Sequence, residues 1–184
     1  MPRPRSAAAD EAILESAKEL FTESGLAAVT MEAIARRAGV GKQTVYRRYA
    51  NRDAVLAAGW LREAETLVEV PRGRSLESDL RRFLERLFEA LQSTGDALRR
   101  LLGQAQFDDS LREAVRDAFI EQRRSVLMEL IERHLGPDRR REVETVVDML
   151  YGAMWYRLLA GHAPLDRELA RRLAKQAVRG LRVP

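Results

Sequence analysis

The sequence predicts an all-α fold. Nearly every stretch outside the turns repeats its apolar residues at helical spacing, and no stretch shows the alternation of a half-buried strand. Glycine and proline fall mostly between these stretches, where they end helices. With 184 residues, 46% of them hydrophobic, the chain is long enough for one or two domains with a real core.

The first predicted helix spans about residues 8–24. Its apolar residues recur on one face, while charged residues occupy the rest of its circumference. Gly25 follows as a C′ residue that ends the helix. The apolar face consists of Ile13, Leu14, Ala17, Leu20 and Phe21.

Two short helices joined by a turn are predicted next. Thr30 is placed to cap the second helix, and the turn at residues 38–41 leads into a third helix near residues 42–48. Asn51 is placed to cap a fourth helix that begins at Arg52. This arrangement predicts a helix-turn-helix.

The later helices are longer, and the clearest break before them is Pro71-Arg72-Gly73. Asp108-Asp109 favours a helix cap over a catalytic carboxylate pair, and Asp138 and Asp166 are candidate N-caps after prolines. We expect two domains, a helix-turn-helix head over residues 1–51 and a helical body over residues 52–184. The later helices are predicted at residues 76–93, 96–106, 110–135, 138–161 and 166–181.

Positive charge is concentrated around the predicted turn. Between Glu32 and Asp53 the chain has no acidic residue and six basic ones, whereas the whole chain has a net charge of only +4. Local basicity suits a phosphate backbone, so the expected partner is double-stranded DNA. The arm at residues 2–5 is expected to add a minor-groove or phosphate contact. The six basic residues are Arg36, Arg37, Lys42, Arg47, Arg48 and Arg52.

The third helix is predicted to read bases in the major groove. Val45 and Tyr49, four residues apart, are expected to pack inward and to leave Gln43, Thr44 and Arg47 facing outward. Gln43 can pair with adenine and Arg47 with guanine, and Thr44 can touch a thymine methyl group or a phosphate.

Contacts with the DNA backbone are expected around this helix. Lys42 and Tyr46 can reach phosphate oxygens, and Gly41 lets the backbone approach closely. Thr30 and Arg52 stand at helix N-termini, whose free N–H groups favour anions.

Residues 8–60 resemble the DNA-binding domain of the tetracycline-repressor (TetR) family. The resemblance lies in AAVTMEAIARRAGVGKQTVYRRYANRDAVL, residues 27–56. As a combined pattern it is highly specific. The matching positions are Thr30, Ile34-Ala35, Ala38-Gly39-Val40, Lys42, Thr44, Tyr46, Tyr49 and the charged start of the fourth helix.

The resemblance implies an all-helical homodimer whose fourth helix links the DNA-reading head to a larger effector-binding body. Such a protein usually acts as a transcriptional repressor of a palindromic operator, relieved by a small-molecule effector. Arg47 and Arg48 stand where the family often has aromatic or histidine residues, which favours contact with guanine or phosphate. The positions carried over as DNA contacts are Thr30, Lys42, Gln43, Thr44, Tyr46, Arg47 and Arg52.

The last two predicted helices resemble a family dimer interface through WYRLLAGHAPLD, residues 155–166. In one branch of such regulators these helices form a four-helix interface with their symmetry mates, so a homodimer is expected. From the residues alone, packing within one subunit stays open. The apolar faces are Val143, Val146, Val147, Leu150, Met154 and Leu158, and Leu169, Ala170, Leu173, Ala177 and Leu181.

The middle and later helices carry residues that could line an effector pocket. The candidates are Phe88, Phe107, Met128 and Trp155, for each of which a place in the core is the default. Asp148 is a candidate partner for a cationic effector, and its alternative is solvation on the outer face of its helix.

The sequence predicts no metal site and no catalytic site. It has no cysteine, its only histidines, His134 and His162, lack a third ligand, and it has no phosphate-cradling glycine loop or serine elbow. We therefore expect a protein that is not an enzyme and that has no cofactor beyond an unidentified effector. No 18-residue apolar run or signal peptide occurs, so a cytoplasmic location is expected.

Two alternatives come from other classes of protein. A helical protein-interaction module would use the apolar faces for another partner and leave the basic segment merely solvated. A ligand-binding or catalytic helical bundle would need a convergent set of polar groups, which the sequence does not display.

Overall fold

The structure, a computed structural model, describes residues 7–67 and 70–181. Within these ranges the chain forms helices and turns and no strand, which confirms the predicted all-α class. Short turns of 3₁₀ helix occur at Leu26–Ala28 and Pro137–Arg139, and a π-helical turn occurs at Arg116–Ile120. The helices are α1 (Ala7–Ser24), α2 (Met31–Arg37), α3 (Lys42–Tyr46), α4 (Arg52–Leu67), α5 (Leu76–Ala105), α6 (Asp109–Val115), α7 (Glu121–Leu135), α8 (Arg140–Ala160) and α9 (Arg167–Leu181).

Side-chain caps begin four of these helices where the sequence predicts them. Thr30, Asn51, Asp108 and Asp166 each accept a hydrogen bond from the backbone amide three residues on, at 2.8–3.1 Å. Asp138 is different, because it lies inside a 3₁₀ turn and α8 begins after it without a side-chain cap. The predicted cap at Asp138 is therefore wrong.

The chain divides into two compact units. The first comprises the residues up to Glu63 together with Arg100–Glu121, and the second comprises Ala64–Arg99 and the residues from Gln122 onward. The predicted boundary between residues 51 and 52 differs from this division, because the first part of α4 packs with α1.

In the first unit, α4 crosses α1 closely at Gly59. A Cβ atom there would lie 3.2 Å from the Leu14 carbonyl oxygen. Beside the crossing, Lys18 Nζ lies 3.3 Å from a Glu63 carboxylate oxygen and 6.0 Å from the centre of the Trp60 ring. These contacts attach α4 to α1, the first helix of the head.

Residues 100–121 join the first unit through polar contacts. Ser110 Oγ donates a hydrogen bond of 2.9 Å to the buried carboxylate of Asp53, at the start of α4. Arg100 Nη1 donates to the Thr22 carbonyl oxygen at 3.5 Å, near the end of α1. Residues 100–121 are thereby held to the end of α1 and to the start of α4.

The second unit has an apolar core contributed by α5, α7, α8 and α9. One buried carboxylate, that of Asp79, lies among these apolar side chains. It accepts hydrogen bonds from the Gly73 amide at 2.8 and 2.9 Å and from Arg82 at 2.7 Å, and His134 Nε2 lies 3.1 Å away. The core includes Leu80, Phe83, Leu84, Phe88, Leu127, Leu130, Ile131, Val143, Val147, Leu150, Met154, Ala170 and Ala174.

The structure corrects the prediction of separate helices at residues 76–93 and 96–106. α5 is one helix of 30 residues. Thr94 Oγ1 bonds back to the Ala90 carbonyl oxygen at 3.1 Å, and a Cβ atom at Gly95 would lie 3.0 Å from the Leu158 side chain. Gly95 therefore marks a close approach of α5 to α8 and not a helix end.

The predicted helix at residues 110–135 is also divided differently. α6 begins at Asp109, and the π-helical turn separates it from α7, so the path is helical but not one regular α-helix. A π-helical turn inserts one extra residue into the hydrogen-bonding pattern, and apolar periodicity alone does not reveal it.

The apolar faces predicted on the last two helices pack within a single chain. The α8 residues Val143, Val147 and Leu150 and the α9 residues Ala170 and Ala174 are buried without any partner chain. A second apolar stripe on α8 remains exposed, at Met149 (65%), Tyr156 (66%) and Leu159 (51%). We call these three residues the α8 stripe.

Across the parts of the chain that the structure describes, no helix is long and apolar enough to cross a membrane.

The Asp79 site leads to a prediction about stability and pH. Burial raises the pKa of Asp79, but hydrogen bonds from Gly73, His134 and Arg82 outweigh it and hold the pKa below the ordinary value of 3.8. The ionised form therefore stabilises the fold fully above pH 3.8, and this stabilisation is lost as the pH falls through the lower folded-state pKa. Asp79→Asn is expected to lower the free energy of unfolding by about 1–3 kcal/mol near neutral pH.

Urea unfolding of the wild type and of Asp79→Asn over a pH series measures the difference between their free energies of unfolding. This difference should become smaller as the pH falls. Asp96→Asn is the matched control, because Asp96 lies on the same helix with an exposed side chain and pairs with Arg99 at 3.2 Å. A difference between wild type and Asp79→Asn that stays constant with pH would contradict the assignment.

Candidate nucleic-acid interface

The turn between α2 and α3 has the geometry of a Schellman motif. Gly39, at φ 65°, follows the end of α2, and its amide donates to the Arg36 carbonyl oxygen at 3.4 Å. The Val40 amide donates to the Ala35 carbonyl oxygen at 3.0 Å. Glycine adopts this left-handed conformation without the strain of a side chain, so the turn sets the angle at which α3 leaves α2.

α3 is seated on the head through Val45. Val45 is fully buried, as are Ile34 on α2 and Ile13 on α1. Because successive helical side chains point in different directions, burial of Val45 turns the rest of the short helix outward. The structure therefore agrees with the predicted inward direction of Val45.

The outward side of α3 carries the side chains that the sequence predicts as DNA contacts. Lys42, Gln43, Tyr46 and Arg47 are exposed, and Thr44 is half-buried. We call these five residues the α3 face. The face offers an amide, a guanidinium, an ammonium and two hydroxyl groups, which can bond to base edges and phosphates.

Lys42 is held in place on this face by α2. Its ammonium pairs with the carboxylate of Glu32, and it lies 5.6 Å from the centre of the Tyr46 ring. The hydrogen bond between Lys42 and Glu32 raises the pKa of Lys42 and lowers the pKa of Glu32. Both groups therefore stay charged near neutral pH. Sequence spacing alone does not reveal this role of Glu32, because Glu32 precedes Lys42 by ten positions and a turn lies between them.

Arg48 points away from the α3 face and into the head. Its Nη1 lies 3.0 Å from Asp10 Oδ1 on α1, and only 10% of its side chain is exposed. The hydroxyl group of Tyr49 donates to the same oxygen at 3.1 Å. Burial and the charge of Asp10 raise the pKa of Tyr49 to about 12, so the phenol stays protonated and remains a donor. This geometry gives Arg48 a positioning role in place of the expected DNA contact.

Arg52 is also engaged inside the first unit. Its Nη1 lies 3.3 Å from the Leu26 carbonyl oxygen, and its Nη2 lies 3.7 Å from the carboxylate of Asp108. A third of its side chain stays exposed, so a phosphate contact would have to share this guanidinium. Of the other predicted contacts, Thr30 is an exposed cap. Gly41 is exposed, and a Cβ atom there would meet only Thr44 Oγ1, at the ordinary contact distance of 3.9 Å. The arm at residues 2–5 lies outside the described residues.

The candidate effector residues belong to different units. Phe107, in the first unit, is 93% exposed. In the second unit, Phe88 and Met128 are buried and Trp155 is half-buried, while the exposed Asp148 pairs with Arg124. The structure therefore agrees with the alternative for Asp148, in which its side chain is solvated on the outer face of α8.

A cleft of about 320 Å³ lies in the first unit, beside the end of α1 and the end of α5. Its walls are mainly apolar, with one guanidinium and one amide among them. The lining residues are Phe21, Gly25, Leu26, Arg100, Gly103, Gln104 and Phe107.

The two histidines have partners other than a metal. His134 lies beside Asp79, and the His162 ring packs at a centroid distance of 4.4 Å from the Tyr156 ring. Within residues 7–67 and 70–181 no cluster of three or more His, Cys, Asp or Glu side chains is arranged to hold a metal ion.

Comparison with known proteins matches both parts of the chain to one family. Residues 13–58 match the family described as "Bacterial regulatory proteins, tetR family". Residues 70–177, more than half of the chain, match the family described as "Tetracyclin repressor-like, C-terminal domain".

Individual relatives agree with this result. The uncharacterized HTH-type transcriptional regulator YdeS of Bacillus subtilis (strain 168) is 33% identical over 183 residues, which cover 97% of this chain and 92% of YdeS. The crystal structure of the TetR family transcription regulator SCO0332 matches at 30% identity with a TM-score of 0.75, covering 94% of this chain and 97% of that one.

A more distant structure shares the fold alone. The flavonoid-responsive regulator FrrA matches at 20% identity with a TM-score of 0.65, over 95% of both chains. The relatives are transcription regulators, which confirms the expectation that the chain is not an enzyme. With its helix-turn-helix seated on Val45 and both family matches along one chain, the protein belongs to the TetR family of DNA-binding transcriptional regulators.

Proposed function

We propose that the protein is a homodimeric repressor that binds a palindromic operator in the cytoplasm and leaves it when a small-molecule effector binds. The observation that carries the proposal is the exposed α3 face above the buried Val45. That face joins groups that read bases to groups that hold phosphates, on a helix narrow enough for the major groove.

Base reading is assigned to Gln43 and Arg47. Both side chains are exposed, and neither residue has a side-chain ion pair or hydrogen bond within the described parts of the chain. Gln43 can bond bidentately to adenine and Arg47 to guanine. Lys42, already turned outward beside Tyr46, is assigned to the phosphate backbone.

Dimerisation is assigned to the α8 stripe. Met149, Tyr156 and Leu159 recur seven and three residues apart, which places them on one side of α8. Gly152 lies between them with no atom within 4 Å of where its Cβ atom would be, so a second helix could approach closely. A symmetric pairing through this stripe would give two heads, which suit half-sites about 34–36 Å apart on a palindromic operator.

Release by an effector follows from population shift. A ligand that binds better to an arrangement of the heads that does not fit the operator lowers DNA occupancy, by no more than its differential affinity. Ligand response has support from FrrA, a flavonoid-responsive regulator of the same fold. Phe88, Met128 and Trp155 remain candidate lining residues in the second unit.

The base-reading assignment is tested by site selection from random duplexes. Gln43→Ala and Arg47→Ala are each expected to relax base preference at a defined operator position by about 1–3 kcal/mol, because each removes a direct bond to a base edge. Lys42→Ala should weaken binding to all sequences alike. Unchanged base preference in the first two variants would remove Gln43 and Arg47 as readers.

Arg47 and its neighbour Arg48 form a matched pair. Arg48→Ala is expected to lower the free energy of unfolding by about 1–3 kcal/mol, because it removes the charged partner of Asp10 and leaves only the Tyr49 hydroxyl group bonded to that carboxylate. Arg47→Ala should leave stability nearly unchanged and reduce affinity for the selected duplex. Chemical unfolding and fluorescence anisotropy measure the two effects. An equal loss of stability in both variants would contradict the assigned roles.

The dimer is tested with Tyr156→Glu and Leu159→Glu. Each places a carboxylate in the apolar stripe, so both variants should sediment as monomers while the wild type sediments as a dimer. Gln122→Glu is the control, because it adds the same charge at an exposed position on α7. A wild-type monomer, or variants that stay dimeric, would exclude this interface.

A further inference from the structure

One arginine occupies a core position in the second unit. Arg123 is only 5% exposed. It lies on the same side of α7 as Leu127 and Leu130, four and seven residues further along, and both of these are fully buried. A cation therefore stands where the helix pattern calls for an apolar side chain.

The surroundings of this guanidinium are mainly apolar. Its central carbon lies 5.8 Å from the centre of the Phe83 ring on α5. From α8, Tyr151 donates a hydrogen bond of 2.9 Å to the Arg123 backbone carbonyl oxygen. Burial raises the pKa of Tyr151 to about 12, so this donor keeps its proton and fixes the backbone of Arg123 against α8. The Arg123 side chain also bonds to the Tyr151 hydroxyl group, a neutral partner, and this contact opposes the rise in pKa.

The guanidinium itself lacks an anionic partner. Its Nη2 is buried and makes no hydrogen bond, and no ion pair joins Arg123 to a carboxylate in residues 7–67 and 70–181. Asp79, the buried charge nearer the start of α5, provides the contrast, because three groups of the chain bond to it. A buried charge without an anionic partner is destabilising, and an apolar residue of similar volume would stabilise the fold more.

We infer that Arg123 is the counter-charge for the effector, and that the effector is an amphipathic organic anion. This inference rests on the proposed function, in which a small molecule controls DNA binding. The planar guanidinium matches a carboxylate or a phosphate through two parallel N–H bonds. The neighbouring Phe83 and Leu127 suit an apolar body attached to the anionic group.

The first test is the thermal stability of the ligand-free protein. Arg123→Met should raise the melting temperature by about 2–4 °C, because it replaces a buried charge that no carboxylate neutralises with an apolar chain of similar length. Arg124→Met is the matched control, since Arg124 is partly exposed and pairs with Asp148, and it should not raise the melting temperature. A lower melting temperature in Arg123→Met would show that the arginine serves the fold, and would overturn the inference.

The second test compares anionic compounds with neutral counterparts of the same skeleton. The probes are octanoate with octanamide, 4-phenylbutanoate with its amide, and dodecyl phosphate with dodecanol, each added to the full-length wild type and to both arginine variants. At least one anion should raise the wild-type melting temperature and release a selected duplex, while its neutral partner does neither. Arg123→Met should lose this response and Arg124→Met should keep it.

The outcomes separate this inference from the proposed function. Equal effects of anionic and neutral partners, an unchanged response in Arg123→Met, or no response to any anion would overturn the inference. Release of the duplex by a neutral compound would leave ligand-relieved regulation standing. Failure of the wild type to bind any selected duplex would instead remove the proposed function, while the stability test of Arg123 would still apply.

Discussion

The DNA-facing surface depends on one apolar contact, the burial of Val45. α3 has only five residues, whereas an isolated helix needs about 12–15 to be even marginally stable in water. Its existence and orientation must therefore come from packing on α1 and α2. The turn at Gly39 sets its direction, and Arg48 and Tyr49 hold its far end to Asp10. Once Val45 is inside, helical geometry leaves the α3 face in solvent.

The parts of the fold that the sequence predicts correctly depend on short-range interactions. Caps such as Thr30 and Asn51 bond to amides three residues away, so both partners are visible in one short stretch of sequence. The inward turn of Arg48 is not visible in this way, because its partner Asp10 lies 38 residues earlier. The continuity of α5 through Gly95 is hidden for the same reason, since only Leu158 on another helix shows why glycine is needed there.

Two buried charges in the described part of the second unit, Asp79 and Arg123, have opposite environments. Asp79 has hydrogen bonds from a backbone amide, an arginine and a histidine, so its charge is compensated and links α5 to α7 and to the turn before α5. Arg123 has an aromatic ring and no carboxylate. Sequence periodicity marks both residues only as polar interruptions of apolar faces. Only the long-range partners show which buried charge is already bonded within the fold and which could bind a ligand.

The pairing of Lys42 with Glu32 affects how the head responds to ionic strength. Before any nucleic acid arrives, Glu32 already stands in for a phosphate oxygen, so the lysine exchanges one anion for another when it binds. The displaced glutamate then attracts a cation from solution and offsets part of the counterion release from the duplex. This residue should therefore contribute less to the salt sensitivity of binding than an unpaired lysine at the same position. Its main gain is preorganisation, because the ammonium is held in its outward position from the start.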